Sequence, residues 1–274
     1  MINTKQWKIW QRGRGLSERT IRERAWTVER IAREFDTEPQ NLTPDQVAQW
    51  FAQPMHPATR ASYHGHIRAW GRWVALHGGN DASIQLGPVK KLRTKPRPVT
   101  SDHLEAALRH PELRRRTRMM MLLAAYQGLR VHEIAKIRGE DVDVLNKTVH
   151  VLGKGQVEEW LPLHPIIEAE ASGWPSKGYW FHSYTKPGHH IRSSQVGHAI
   201  SGALTRAGAN ATAHQLRHWF ATELVRSGAD VFTTQTLMRH ASAATTAVYV
   251  QVADDSGREA IQGLPTFDIT QTAA

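Results

Sequence analysis

His214-Gln-Leu-Arg217-His218 is the stretch on which the fold turns. In a helix, positions 214, 217 and 218 are neighbours on one face, so two imidazoles and a guanidinium are aimed together. Leu216, Phe220 and Leu224 recur on a separate stripe that would bury the same helix against a core. A guanidinium grips an oxyanion through parallel N–H donors, and an imidazole beside it adds another. The pattern therefore suits an anion held over a packed helix. A solvated polar face would carry the same five residues, so the rest of the chain has to decide.

Upstream, Gly128-Leu-Arg130-Val-His-Glu133 follows an apolar helical run. The glycine ends that run and Arg130 falls where a new helix begins. Glu133, three residues on, is near enough to orient it, although a surface Arg–Glu pair has the same spacing. Lys154 stands between Gly153 and Gly155, at the tip of a hairpin expected from Thr148–Leu152 and Glu158–Pro162. Such a loop can close an ammonium over a ligand, or simply keep the turn in water. Downstream, His240 follows a short helix and Tyr249 comes nine residues later. An unperturbed phenol titrates near pH ~10, so Tyr249 is a nucleophile only where cations stabilise its phenolate. Otherwise it is a core residue with a satisfied hydroxyl.

The chain has 274 residues, a length that suggests about two domains. Its hydrophobic fraction of 40% and charged fraction of 22% argue against wholesale disorder. It contains no cysteine, which excludes disulfides, cysteine-ligated zinc, iron–sulfur clusters and thiol catalysis. No apolar run reaches the ~18 residues of a membrane span, and the N-terminus lacks the apolar centre of a signal peptide. The 16 histidines raise the question of a metal, with His164, His182, His189 and His190 as the candidates. His132-Glu133 does not begin an H-E-x-x-H motif, because position 136 is lysine. Neither a metal nor another cofactor is expected. The formal charge is +10 and unevenly spread: residues 1–97 hold 17 Lys and Arg against 8 Asp and Glu, whereas the remainder holds 18 against 17. A basic first third suits a polyanion partner, or a basic solvated surface.

The segment 87–98, with three prolines and five basic residues, reads as an extended linker. Before it, Ser17 caps a helix carrying Ile21, Ala25, Val28 and Phe35, and Thr43-Pro-Asp-Gln46 has the pattern of a capping box. A third helix is expected over Pro57–His77, ended by Gly78-Gly79, and the tryptophans of the bundle are read as core. After the linker, helices are expected from a Ser101 cap, over Pro111–Tyr126, Val131–Ile137, Ser193–Ala207, His214–Arg226 and Val231–Met238. The fold class is thus mainly α with a small β-sheet. A helical bundle spans 1–86, the linker 87–98, and a mixed α+β unit 99–274, of which 264–274 is a loose tail.

Taken in order, Arg130, Lys154, His214-x-x-Arg217, His240 and Tyr249 resemble the tyrosine recombinase or phage integrase family. The segment Ala124–Ile134 looks like its first-arginine box, His214–His218 matches its H-x-L-R-H box, and Thr245-Thr246 precede the tyrosine as expected. One departure concerns the local backbone: the family usually has glycine where this chain has Arg239.

The resemblance implies a core-type DNA-binding domain followed by a catalytic domain, in a simple, arm-less or Xer-like integrase. Tyr249 would form a 3′-phosphotyrosyl link. Arg130 and Arg217 would neutralise the phosphate, Lys154 would protonate the leaving 5′-oxygen, and His214 and His240 would bond the phosphate or manage the tyrosine's proton. Glu133 would orient Arg130 or His214, and His218 would support the site from behind. Double-stranded DNA is the implied partner, with four protomers meeting through a Holliday junction and an accessory directionality protein as a further partner. Candidate DNA contacts are Arg12, Arg14, Arg19, Arg22, Lys90, Lys91, Arg93, Arg114, Arg115, Arg116 and Arg118. The implied location is the cytoplasm of a bacterium or phage-infected host, on DNA. A segment around Asp254–Leu264 would dock on a neighbour, and the terminal Ala273-Ala274 reads either as a degradation signal or as an ordinary loose end. A type IB topoisomerase-like relaxase, or a regulator with a vestigial site, are the alternatives.

Overall fold

The computed structural model describes residues 2–89, 97–152 and 158–239. The chain divides into two compact units, Met1–Thr94 and Lys95–Ala274. Of the expected linker, residues 90–96 lie outside the described residues, and with them Lys90, Lys91 and Arg93.

Among the described residues four α-helices build the first unit: α1 (Thr4–Gly13), α2 (Glu18–Glu34), α3 (Pro44–Ala52) and α4 (Pro57–Leu76). Ser17 accepts from the Thr20 N–H at 3.2 Å and starts α2. Thr43 and Gln46 exchange bonds at 3.2 and 3.0 Å, the reciprocal box that starts α3. α1 was not expected; Asn3 caps it, accepting from the Gln6 N–H at 2.9 Å. Only Trp7 and Gln11 of α1 are buried, too sparse a stripe to announce a helix. Trp7, Trp50, Trp70 and Trp73 enter the core, and the Trp7 and Trp70 rings meet edge to face at 5.1 Å. Trp26 departs from the core reading, standing 50% exposed with the Arg30 guanidinium 5.3 Å from its ring.

The second unit is organised around α6 (Arg115–Tyr126), whose residues Met119–Ala125 are all buried. A helix apolar on every side must be wrapped, and α8 (Pro165–Ala171), α9 (Ser193–Arg206) and α10 (Ala213–Arg226) pack against it. The remaining helices are α5 (Ser101–Arg109), α7 (Val131–Ile134) and α11 (Val231–Met238). A three-stranded antiparallel sheet runs in the order β1 (Val142–Asp143), β2 (Thr148–Leu152), β3 (Glu158–Pro162). Its register pairs Val149 with Leu161 and His150 with Trp160. Val149, Val151 and Leu161 face the core, so the sheet is half-buried.

Some boundaries shift. Thr100, not Ser101, caps α5. α6 begins at Arg115 rather than Pro111, because the Leu113 N–H returns to the His110 carbonyl at 3.0 Å and closes a turn first. α7 stops at Ile134, where the N–H groups of Lys136 and Ile137 bond three residues back and tighten the chain out of the helix. The hairpin tip with Lys154 and everything from His240 onward lie outside the described residues. Among the described residues no helix is long and apolar enough to cross a membrane.

Candidate active site

The site grows from the end of α6. Gly128 takes φ +60°, and a Cβ there would fall 2.4 Å from a Phe220 ring carbon. Glycine thus permits both the left-handed turn and the close approach of α10. The turn delivers Arg130 to the start of α7 and presents the Gly128 carbonyl to α10.

Glu133 closes the first turn of α7. Its carboxylate accepts from the Arg130 backbone N–H at 2.7 Å and from Arg130 Nη1 at 2.9 Å. The Glu133 side chain is fully buried, while that of Arg130 keeps 30% exposure. Arg130 Nη2 donates to the Arg239 carbonyl at 3.0 Å. Of the two partners expected for Glu133, Arg130 and His214, these bonds are to Arg130.

Arg217 comes from the buried side of α10 and is itself buried. Nη1 donates to the Gly128 carbonyl and Nη2 to the Met238 carbonyl. One guanidinium therefore ties the end of α6 to the end of α11. A planar fork spans two carbonyls in this way where an ammonium cannot.

A third arginine joins these two, which the sequence reading left out of the site. Arg239 caps α11 with φ 50° and ψ 49°. Its Nη2 donates to Glu133 Oε2 at 2.8 Å, and its side chain is only 3% exposed. Burial alone would push the Glu133 carboxyl up; Arg239 and Arg130 outweigh that and hold it below the usual carboxylate range. The signal available in the sequence was an arginine at a turn before His240 where glycine is usual.

His214 and His218, one turn apart on α10, meet edge to face with ring centroids 4.2 Å apart. Burial, then His214 and Arg217, push His218 down to about 4. Burial, Arg217 and Arg130 lower His214. Both are neutral imidazoles near neutral pH, each able to donate one hydrogen bond and accept one. His132 is lowered as well, chiefly by burial. Arg130, Glu133, Arg217, His214 and His218 are thus brought together. Lys154, His240 and Tyr249 lie outside the described residues.

The metal candidates do not converge: His182 pairs with His190 across an isolated bridge, while His164 stacks on Tyr126 at 4.8 Å. The expected DNA contacts differ in kind. Arg12 and Arg19 sit in exposed pairs with Glu18 and Glu23, Arg14 lies over Trp10, and Arg22 is exposed. In the second unit Arg114 is exposed at the start of α6. Arg115 donates to the Gly173 carbonyl, Arg116 to the His182 carbonyl at 3.1 Å, and Arg118 to Glu170 and the Leu108 carbonyl at 3.2 and 2.7 Å.

Residues 98–256 match the phage integrase family. Over 132 residues the chain is 38% identical to the inferred integrase/recombinase y4qK of Sinorhizobium fredii, spanning 46% of this chain and 43% of that protein. It therefore spans less than half the length of that relative. Tyrosine recombinase XerA of Thermococcus kodakarensis is 27% identical over 202 residues, 71% of this chain and 72% of that one. The integrase from mycobacterium phage Brujita is 37% identical with a TM-score of 0.52, over 98% of this chain and 94% of that one. A lambda integrase tetramer bound to a Holliday junction shares the fold at 17% identity and a TM-score of 0.71, over 97% and 78% of the two chains.

Proposed function

This chain belongs to the phage integrase family of site-specific tyrosine recombinases, and from that premise we propose that it cuts and rejoins duplex DNA through Tyr249. The Tyr249 oxygen attacks the scissile phosphorus, the phenolic proton passes to a neutral histidine, His214 or His240, and the bond from phosphorus to the 5′-oxygen breaks. The product is a 3′-phosphotyrosyl link and a free 5′-hydroxyl, protonated by Lys154. A 5′-hydroxyl from a partner strand then reverses the step. Bond energy is conserved in the link, so no nucleotide cofactor is required.

The observation that supports this most is the pair of guanidiniums, Arg130 and Arg239, on the buried carboxylate of Glu133, with that of Arg217 on the neighbouring Gly128 carbonyl. Positive charge exceeds negative there, and it is fixed before any substrate arrives. Preorganised donors of this kind stabilise the charge that builds on a phosphate as it is attacked. Arg130, partly exposed, takes the phosphate directly, with neutral His214 donating beside it. Arg217 adds its charge from within the fold.

The polyanion is duplex DNA, held in the basic first unit by Arg12, Arg14, Arg19 and Arg22, with Lys90, Lys91 and Arg93 along the linker. Exposed ion pairs such as Arg12–Glu18 are worth little and exchange readily for phosphate. Four protomers act together on two sites through a Holliday junction, as in the lambda integrase tetramer.

Selection on DNA from the source genome tests this reading. Nicked duplex fragments are incubated with the protein in EDTA without ATP, and SDS-resistant complexes are sequenced. The expected result is adducts at one phosphate within a short inverted repeat. A plasmid carrying two such sites should then yield recombinant circles. Relaxation without recombinants would point to a relaxase, and binding without adducts to a regulator.

A further inference from the structure

Arg239 occupies a place that its backbone does not favour. The left-handed values φ 50° and ψ 49° suit glycine, because a Cβ crowds the neighbouring carbonyl there. The side chain is also nearly water-free, 3% exposed, although a guanidinium is costly to dehydrate. Its Nε is buried without a hydrogen-bond partner among the described residues. Strain and dehydration at this position are set against what its remaining bonds do.

Those bonds converge on the supports of the other two arginines. Nη2 donates to Glu133 Oε2 at 2.8 Å, while Oε1 of the same carboxylate holds Arg130. Nη2 also lies 3.4 Å from the Gly128 carbonyl, the oxygen that accepts from Arg217. Nη1 donates to the Leu237 carbonyl at 3.1 Å and fixes the end of α11. The carbonyl of Arg239 itself accepts from Arg130 Nη2 at 3.0 Å. One residue thus touches Glu133, the Gly128 carbonyl and Arg130. Buried as it is, its guanidinium acts through these partners rather than on a ligand.

We propose that Arg239 is a positioning residue for phosphate activation, which by binding Glu133 and the Gly128 carbonyl fixes the aim of Arg130 and Arg217. The proposal rests on the recombinase reading above. It gives Glu133 two guanidiniums to hold rather than one, so that the carboxylate cannot swing to either. It also makes the arginine at 239, rather than a glycine, part of how this chain reaches its working geometry.

The test compares Arg239→Gly and Arg239→Lys with the native protein on the selected nicked duplex, measuring DNA affinity and single-turnover adduct formation separately. Glycine suits the backbone, so the variant is expected to fold. Its DNA affinity should stay within about threefold, while adduct formation falls roughly 10- to 100-fold, the scale of a misplaced catalytic group. Arg239→Lys, or methylguanidine added to Arg239→Gly, should recover part of the rate. In a Glu133→Gln background the same glycine substitution should cost less than about threefold, because the partner it acts through is gone. Undiminished adduct formation by Arg239→Gly would overturn the proposal. So would a loss that neither lysine nor methylguanidine relieves and that is equally large with Glu133→Gln. If the native protein forms no Tyr249-dependent adduct, the recombinase reading falls and this role falls with it.

Discussion

At the scale of single residues, the site depends on guanidinium geometry more than on charge. Arg217 spans two carbonyls, Gly128 and Met238, from a fully packed position. Lysine keeps the charge but has one nitrogen in place of two held in a planar fork, so it cannot reproduce both bonds in their present geometry. Arg217→Lys is therefore expected to lower single-turnover cleavage by about 10²–10³, comparable to removing a transition-state donor, and to lower the urea midpoint as well. Near-native cleavage would show that charge alone suffices. His218 gives a second prediction. Its pKa falls from 6.5 to about 4 on folding, so below about pH 6.5 the unfolded chain binds a proton that the folded chain does not. Stability is complete above that pH and declines as pH falls toward 4. Urea midpoints at pH 7 and pH 5 should show the decline, and His218→Gln should reduce it. An equal decline in the variant would contradict the assignment.

At the scale of elements, legibility followed the strength of the local signal. Helices with a full apolar stripe, α2, α4, α9 and α10, could be read within a residue or so of their ends, and the start of α3 from its capping box. So could β2 and β3, whose ranges match the expected strands. What escaped was short or one-sided. α8 has seven residues, β1 has two, and α1 buries a single narrow stripe. The motif residues were legible because chemistry restricts their types, and Arg130, Glu133, Arg217, His214 and His218 do come together. Arg239 escaped because its role depends on a bond across 106 positions of sequence, which no local pattern announces. Gly128 is the hinge between elements and supplies the third prediction. Gly128→Ala forces a Cβ against Phe220 and strains the left-handed turn. A loss of about 1–3 kcal/mol is expected from urea unfolding, given the usual cost of overpacking. Part of it should return in a Phe220→Ala background, and full additivity would mean that the two sites do not meet.

At the scale of the whole molecule, charge separates two roles for arginine. In the first unit Arg22 is exposed and suited to phosphate, whereas Arg118 in the second grips Glu170 and the Leu108 carbonyl. Arg22→Ala should therefore weaken DNA binding across sequences and flatten the log–log salt slope by about 1, the release associated with one phosphate contact. Arg118→Ala should leave that slope unchanged and lower thermal stability instead. Salt titrations of both variants check this, and a reversed pattern would contradict the division. On the proposed reading, a basic helical unit would bring the duplex, and an α+β unit built on α6 would hold the charge that activates a phosphate.

The most direct test of the whole is to identify the atom that joins protein to DNA. The adduct formed on nicked duplex in EDTA would be digested with nuclease and protease, and the modified peptide sequenced by mass spectrometry. The expected result is a single peptide carrying a 3′-phosphonucleotide on Tyr249, absent from Tyr249→Phe. A nucleotide on any other residue, or an adduct that survives Tyr249→Phe, would contradict it.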